Sequence, residues 1–162
     1  MAPFQVMAIL ERARALQAEG RDVIHLEVGE PDFATPHAIV EAGRQALADG
    51  HTFYTAAQGL PQLREAIAGF YQQRYGVSVD ARRIIVTPGA SGALQIALSL
   101  LVNQDDQVLM ADPTYPCNRH FVSLLGGEPV CLPVGPENRY QLLAEGVDAA
   151  WGQHTVAAMV AS

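Results

Sequence analysis

Apolar residues follow two regimes along the chain. Up to Tyr71 they recur at helical spacing; from Arg83 onward short unbroken apolar runs alternate with helical stretches. Val6, Ile9, Leu10, Ala13 and Leu16 share one helix face, and Gly20 follows where a left-handed cap closes a helix, so the chain opens on an amphipathic helix. The next apolar run predicts a strand over 23–28. Gly29-Glu30-Pro31-Asp32-Phe33 then reads as a loop, with Thr35 as N-cap and Pro36 as first residue of a second helix carrying Ile39 and Leu47 and ended by Gly50. After a loop containing Tyr54, Pro61 opens a third helix. Its face is Leu60, Leu63, Ile67, Phe70 and Tyr71, and Gly76 is its stop.

In the second regime strands are predicted over 84–87, 107–111, 129–132 and 155–160. The helices between them carry Leu94, Ala97, Leu98 and Leu101, then span 120–125 and 142–150. Apolar strands without polar alternation, separated by helices, belong to a sheet buried on both faces. The expected class is α/β, a three-layer α/β/α arrangement around a largely parallel sheet. Ligands of such sheets sit beyond the carboxyl ends of the strands, where the strand-to-helix loops gather.

Composition narrows the function. The 162 residues are 49% hydrophobic, enough for a real core, and the formal charge is −7 with the basic residues scattered, so no surface for nucleic acid or acidic lipid is visible. Cys117 and Cys131 lack C-x-x-C spacing and no signal-peptide pattern precedes them, which implies reduced thiols in a cytoplasm. No apolar run approaches the roughly twenty residues that span a bilayer. Every basic residue apart from histidine is arginine; the sequence contains no lysine, and so no side-chain amine.

Two loops at the expected carboxyl end carry candidate chemistry. In Val86-Thr87-Pro88-Gly89-Ala90-Ser91-Gly92 a β-branched run breaks at Pro-Gly and passes through small residues into a helix. The first N–H groups of that helix lack partners within it and carry the positive end of its dipole, so the turn is either a phosphate seat or an ordinary turn capped by Ser91. In Asp112-Pro113-Thr114-Tyr115-Pro116 a tyrosine stands between two prolines that restrict its backbone, either as a face for a flat ring or packed on the sheet end. Together an anion seat and an aromatic platform fit a flat, phosphorylated cofactor. Glu30 and Asp32 flank a proline with no basic or metal partner and read as turn residues. The five histidines show no ligand spacing.

Gly29-Glu30-Pro31-Asp32-Phe33 with Thr35-Pro36, Tyr54-Thr55 with Gly59, Leu63-Arg64-Glu65-Ala66-Ile67, Val86-Thr87-Pro88-Gly89 and Asp112-Pro113-Thr114-Tyr115-Pro116 occur in order. In this the chain resembles the pyridoxal-phosphate-dependent aminotransferases of fold type I over nearly its whole length. The resemblance implies pyridoxal 5'-phosphate as cofactor, with Ala90 and Ser91 at its phosphate, Tyr115 stacked on its ring, and Tyr54 reaching the phosphate of the neighbouring subunit in a homodimer. Gly29 would face the substrate carboxylate. It also implies that residues 1–48 form an N-terminal arm and small-domain segment, and 49–162 the first part of the cofactor-binding large domain.

The family's lysine, which joins the cofactor and moves the substrate proton, lies beyond Ser162, as do the residues for the pyridine nitrogen, the ring hydroxyl and the substrate carboxylate. No catalytic residue is therefore assigned here. The chain is expected to be the amino-terminal part of a cytoplasmic aminotransferase acting between an amino acid and a 2-oxo acid, silent by itself. A lyase or decarboxylase of the same fold, and a non-catalytic phosphate-ligand-binding or interaction module, are the alternatives. Asp112 alone could serve the ribose in a nucleotide-binding reading, and Gly89-Ala90-Ser91-Gly92 is not G-x-G-x-x-G.

Overall fold

The computed structural model describes residues 5–161; Ser162 lies outside them. In chain order the helices are α1 Gln5–Ala18, α2 His37–Ala48, α3 Pro61–Tyr75, α4 Gly89–Leu101, α5 Cys117–Leu124 and α6 Ala144–Ala150. The strands are β1 Gln107–Asp112, β2 Glu128–Pro133 and β3 Thr155–Met159. Internal contacts divide the chain into two units, Met1–Val23 with Gly89–Ser162, and Ile24–Pro88.

The first unit holds a parallel three-stranded sheet in the order β2-β1-β3. β1 pairs with β2 from Gln107 opposite Glu128 to Asp112 opposite Pro133, and with β3 from Val108 opposite Ala157 to Met110 opposite Met159. Val108, Leu109 and Met110 are wholly buried. Successive strand side chains point to opposite faces, so three buried in a row mean that both faces of β1 are covered. Val108 and Met110 share one face and cluster with Leu98 and Val102, from α4 and the residue after it, and with Val122 of α5. Burial of each such side chain contributes about 1.5–3 kcal/mol.

The return from α5 to β2 is tight. Gly127 donates its amide to the Val122 carbonyl at 3.1 Å, and Glu128 donates to Asp106 O at 2.8 Å. A Cβ on Gly127 would lie 2.6 Å from Val102 Cγ1 and 3.0 Å from Asp106 O, so the chain passes too close to the core for any side chain.

In the second unit α2 begins one residue later than the sequence predicts. Pro36 has ψ 136°, an extended conformation, and its carbonyl accepts from Ile39 N at 2.9 Å and Val40 N at 3.2 Å, so it caps the helix in place of Thr35. α3 starts at Pro61 and stops at the left-handed Gly76, as expected. Arg64 of α3 ties the unit together through Nη1, which donates to Gln58 Oε1 at 3.1 Å and to Ala81 O at 3.3 Å. Gly59, at φ +95°, lies where a Cβ would meet Val86 Cγ2 at 2.6 Å, and Val86 N donates to Gln58 O at 3.0 Å. In the single 3-10 turn Ala81–Arg83, Asp80 accepts from Arg82 N at 2.9 Å and from Arg82 Nη2 at 2.6 Å. These bonds hold the Asp80 carboxyl at about 2 against an ordinary 3.8.

Two expected strands are absent. Residues 23–28 and 84–87 form no strand, with a bend at 27–28, and Ile24 and Leu26 are 83% and 88% exposed. An apolar β-branched run supplies the propensity of a strand, whereas a strand exists only through a paired ladder.

Gly127→Ala is expected to cost about 1–3 kcal/mol, because Val102 and the Asp106 carbonyl must both give way. Urea unfolding should show a lower midpoint at unchanged slope. An unchanged midpoint would mean that the return is slack. Arg82→Ala is expected to raise the Asp80 titration midpoint from about 2 toward 3.8, read by carboxyl-carbon NMR. Since the folded value is depressed, the pair's contribution to stability is present above 3.8 and lost as pH falls from 3.8 through about 2.

Candidate functional site

The connection from α4 to β1 runs over residues 102–106, so the end of α4 lies near the start of β1. Gly89, at φ +74°, turns the chain into α4. Ala90 and Ser91 follow, exposed in the first turn, with Gly92 half-buried. Ser91 stands inside the helix rather than at the cap. First-turn amides of a thirteen-residue helix have no intrahelical acceptor and face outward with the positive end of the dipole, which suits an anion.

The second candidate element is the loop leaving β1. Asn118 N donates to the Tyr115 carbonyl at 3.1 Å, and Asn118 Nδ2 reaches Thr114 Oγ1 at 3.4 Å, so α5 fixes the tyrosine's backbone from behind. Arg119 Nη2 donates to Asp112 Oδ1 at 3.4 Å, closing the loop onto its own strand end. The Tyr115 side chain is 56% exposed, leaving ring surface free for a planar ligand. A hydrogen bond with the Cys117 side chain, then the charge of its thiolate form and slight burial, push the Tyr115 hydroxyl above its ordinary value. Cys117 and Cys131 are half-buried free thiols.

Beneath the loop lies a cavity of about 120 Å³, lined among others by Pro113, Thr114, Tyr115, Tyr140, Gln141 and Val160. Periodicity does not single out Tyr140, which stands two residues after Asn138 of a Gly-Pro-Glu-Asn turn.

Ala90, Ser91 and Tyr115 belong to one unit. Gly29 and Tyr54 belong to the other unit. Gly29 is exposed in an open loop with nothing within 4 Å of where a Cβ would stand, and Tyr54 is fully exposed beside Thr52 and Phe53. Glu30 N donates to Val28 O at 3.0 Å, a turn contact. Among the described residues no group of three His, Cys, Asp or Glu could hold a metal ion, and no helix is long and apolar enough to cross a membrane.

A parallel α/β sheet, a small-residue helix start exposed at its first turn and a half-exposed aromatic ring on the loop after the central strand are compatible with folds that hold a phosphorylated cofactor. The family model described as aminotransferase class I and II matches residues 21–161, and the chain belongs to that family. It is 42% identical over 142 residues to the (5-formylfuran-3-yl)methyl phosphate transaminase of Methanocaldococcus jannaschii, covering 88% of this chain and 38% of that protein. To the valine–pyruvate aminotransferase of Mycobacterium tuberculosis it is 37% identical, covering 88% and 37%. Among solved structures, the aspartate aminotransferase of Thermus thermophilus with maleate superposes at TM-score 0.91 with 34% identity, covering 98% of this chain and 41% of that one. The chain spans about two-fifths of the length of these relatives.

Removing the thiol by Cys117→Ala is expected to lower the Tyr115 titration midpoint toward the ordinary 10, followed by NMR of the labelled phenol carbon. A midpoint that does not move would separate the two side chains.

Proposed function

We propose that the chain is the cofactor-binding amino-terminal part of a cytoplasmic, homodimeric aminotransferase that moves an amino group between an amino acid and a 2-oxo acid. The reading is carried by an exposed first turn of α4 and a half-exposed Tyr115 ring on the loop that leaves β1, both in one unit. Family membership and the transaminase names of the relatives support it.

The residues present fit pyridoxal 5'-phosphate. The amides of Ala90 and Ser91 with the Ser91 hydroxyl would hold the phosphate, since small side chains let an oxyanion approach the backbone and the helix dipole favours its charge. Tyr115 would hold the ring by stacking, its orientation fixed by Pro113, Pro116 and the Asn118 amide. When bound, this cofactor supplies an electron sink for charge developing at the amino acid's α-carbon. Gly29 would present its amide to the substrate carboxylate, and Tyr54 would reach the phosphate of a second subunit. Its full exposure on a loop accords with that role. Residues 1–48 are assigned to an arm and small-domain segment, and 49–162 to the first part of the large domain.

These residues bind and orient; none can move the α-proton as an amine would, because no lysine occurs in the sequence. Residues 1–162 alone are therefore silent in transamination.

In the full-length protein, Ser91→Asp is expected to weaken pyridoxal-phosphate binding by about tenfold or more, because a carboxylate replaces the hydroxyl beside a phosphate and opposes the helix-end field. Cofactor titration followed by absorbance measures it, and unchanged affinity would remove Ser91 from the site. Tyr115→Ala is expected to loosen the cofactor by about tenfold while Tyr115→Phe stays near wild type, since the ring face persists. Equal loss in both variants would assign the role to the hydroxyl.

A further inference from the structure

Two polar side chains are buried among the described residues, Asn118 and Thr155, each 7% exposed. Taking an amide or a hydroxyl out of water is unfavourable unless a partner inside the protein replaces the water. Thr155 has such a partner in Gly152 N, which donates to its Oγ1 at 3.0 Å and closes the turn into β3. Asn118 meets the same need on the loop that leaves β1.

α5 starts without a side-chain cap, because Pro116 occupies the N-cap position and makes no side-chain bond there. From the second position of the helix Asn118 reaches back instead. Its Nδ2 donates to Thr114 Oγ1 at 3.4 Å, and its backbone N donates to Tyr115 O at 3.1 Å. One residue thus holds two consecutive residues of the loop, the first by its side chain and the second by its main chain. At 3.4 Å the side-chain bond is long and adds little stability, so its consequence is geometric. Peptide units are planar, and the direction in which the Tyr115 ring leaves the chain is set by the two units that flank its Cα. The unit after it is fixed at the Tyr115 carbonyl. The unit before it begins at Thr114, whose half-buried side chain is tied to Asn118. The start of the loop is fixed independently, by Val134 N donating to Asp112 O at 3.0 Å.

We infer that the Asn118 side chain and the Thr114 hydroxyl form a positioning pair for Tyr115, holding the peptide ahead of it so that the half-exposed ring keeps one direction. This rests on the reading of Tyr115 as the stacking residue, and it assigns neither member of the pair a contact with the cofactor. The pair acts through a single bond, so removing either member has the same effect as removing both.

The test is a mutant cycle in the full-length protein, with pyridoxal-phosphate affinity read by absorbance titration. The single variants are Asn118→Ala, Thr114→Val, Thr114→Ser and Tyr115→Ala; Asn118→Ala and Thr114→Val are also combined with each other and each with Tyr115→Ala. Asn118→Ala and Thr114→Val are each expected to weaken affinity about threefold, and the two together also about threefold rather than by the product. Thr114→Ser keeps the hydroxyl and should stay near wild type. On the Tyr115→Ala background both losses should vanish, because the ring that the pair directs is gone. Losses that persist there, or equal losses in Thr114→Val and Thr114→Ser, would overturn the inference. If Asn118→Ala does not fold, Thr114→Val, which keeps the branched shape and removes only the hydroxyl, carries the cycle with Thr114→Ser. Tyr115→Ala without effect would sink the stacking assignment itself, whereas an effect of Tyr115→Ala beside silent Asn118 and Thr114 variants would refute only the positioning pair.

Discussion

Burial of β1 on both faces is the constraint on which the rest of this unit depends. Val108, Leu109 and Met110 are fully enclosed, and they can be so only because parallel neighbours satisfy the backbone on both edges while α4 and α5 cover one face. A strand locked in this way cannot slide, since a one-residue slip would exchange its two faces. Its carboxyl end is therefore a fixed point. Asp112 emerges there in register with Pro133, and the loop bearing Tyr115 and the turn bearing Tyr140 both grow from that pair.

The same constraint orients α4. Leu98 and Val102 must face Val108 and Met110, which sets the rotation of α4, and the short link to β1 sets its direction. The helix start and the Tyr115 ring, each ordinary alone, are carried by the unit that this cluster holds together. Gly127 serves the same economy of space: the return from α5 to β2 passes so close to Val102 that only a bare backbone fits.

The three strands of the sheet and all six helices were legible in the sequence to within a few residues, because their apolar spacing and their Pro and Gly punctuation are local signals. Pro61 and Gly76 bound α3 by themselves. Segments 23–28 and 84–87 carry the same β-branched signal, yet propensity says nothing of whether a partner ladder lies alongside, and none does among the described residues. Ala90, Ser91 and Tyr115 could be singled out because phosphate seats and proline-flanked aromatics have compositional marks.

The central claim is that the first turn of α4 holds a phosphate while Tyr115 holds the attached ring. Amide and aromatic NMR of the labelled full-length protein, titrated with pyridoxal phosphate and separately with pyridoxal, tests it most directly. The account predicts that pyridoxal phosphate shifts the Ala90 and Ser91 amides and the Tyr115 ring together, whereas pyridoxal, lacking the phosphate, shifts the Tyr115 ring and leaves those amides where they were. Amides of Ala90 and Ser91 that stay still with pyridoxal phosphate, or that move equally with both ligands, would contradict it.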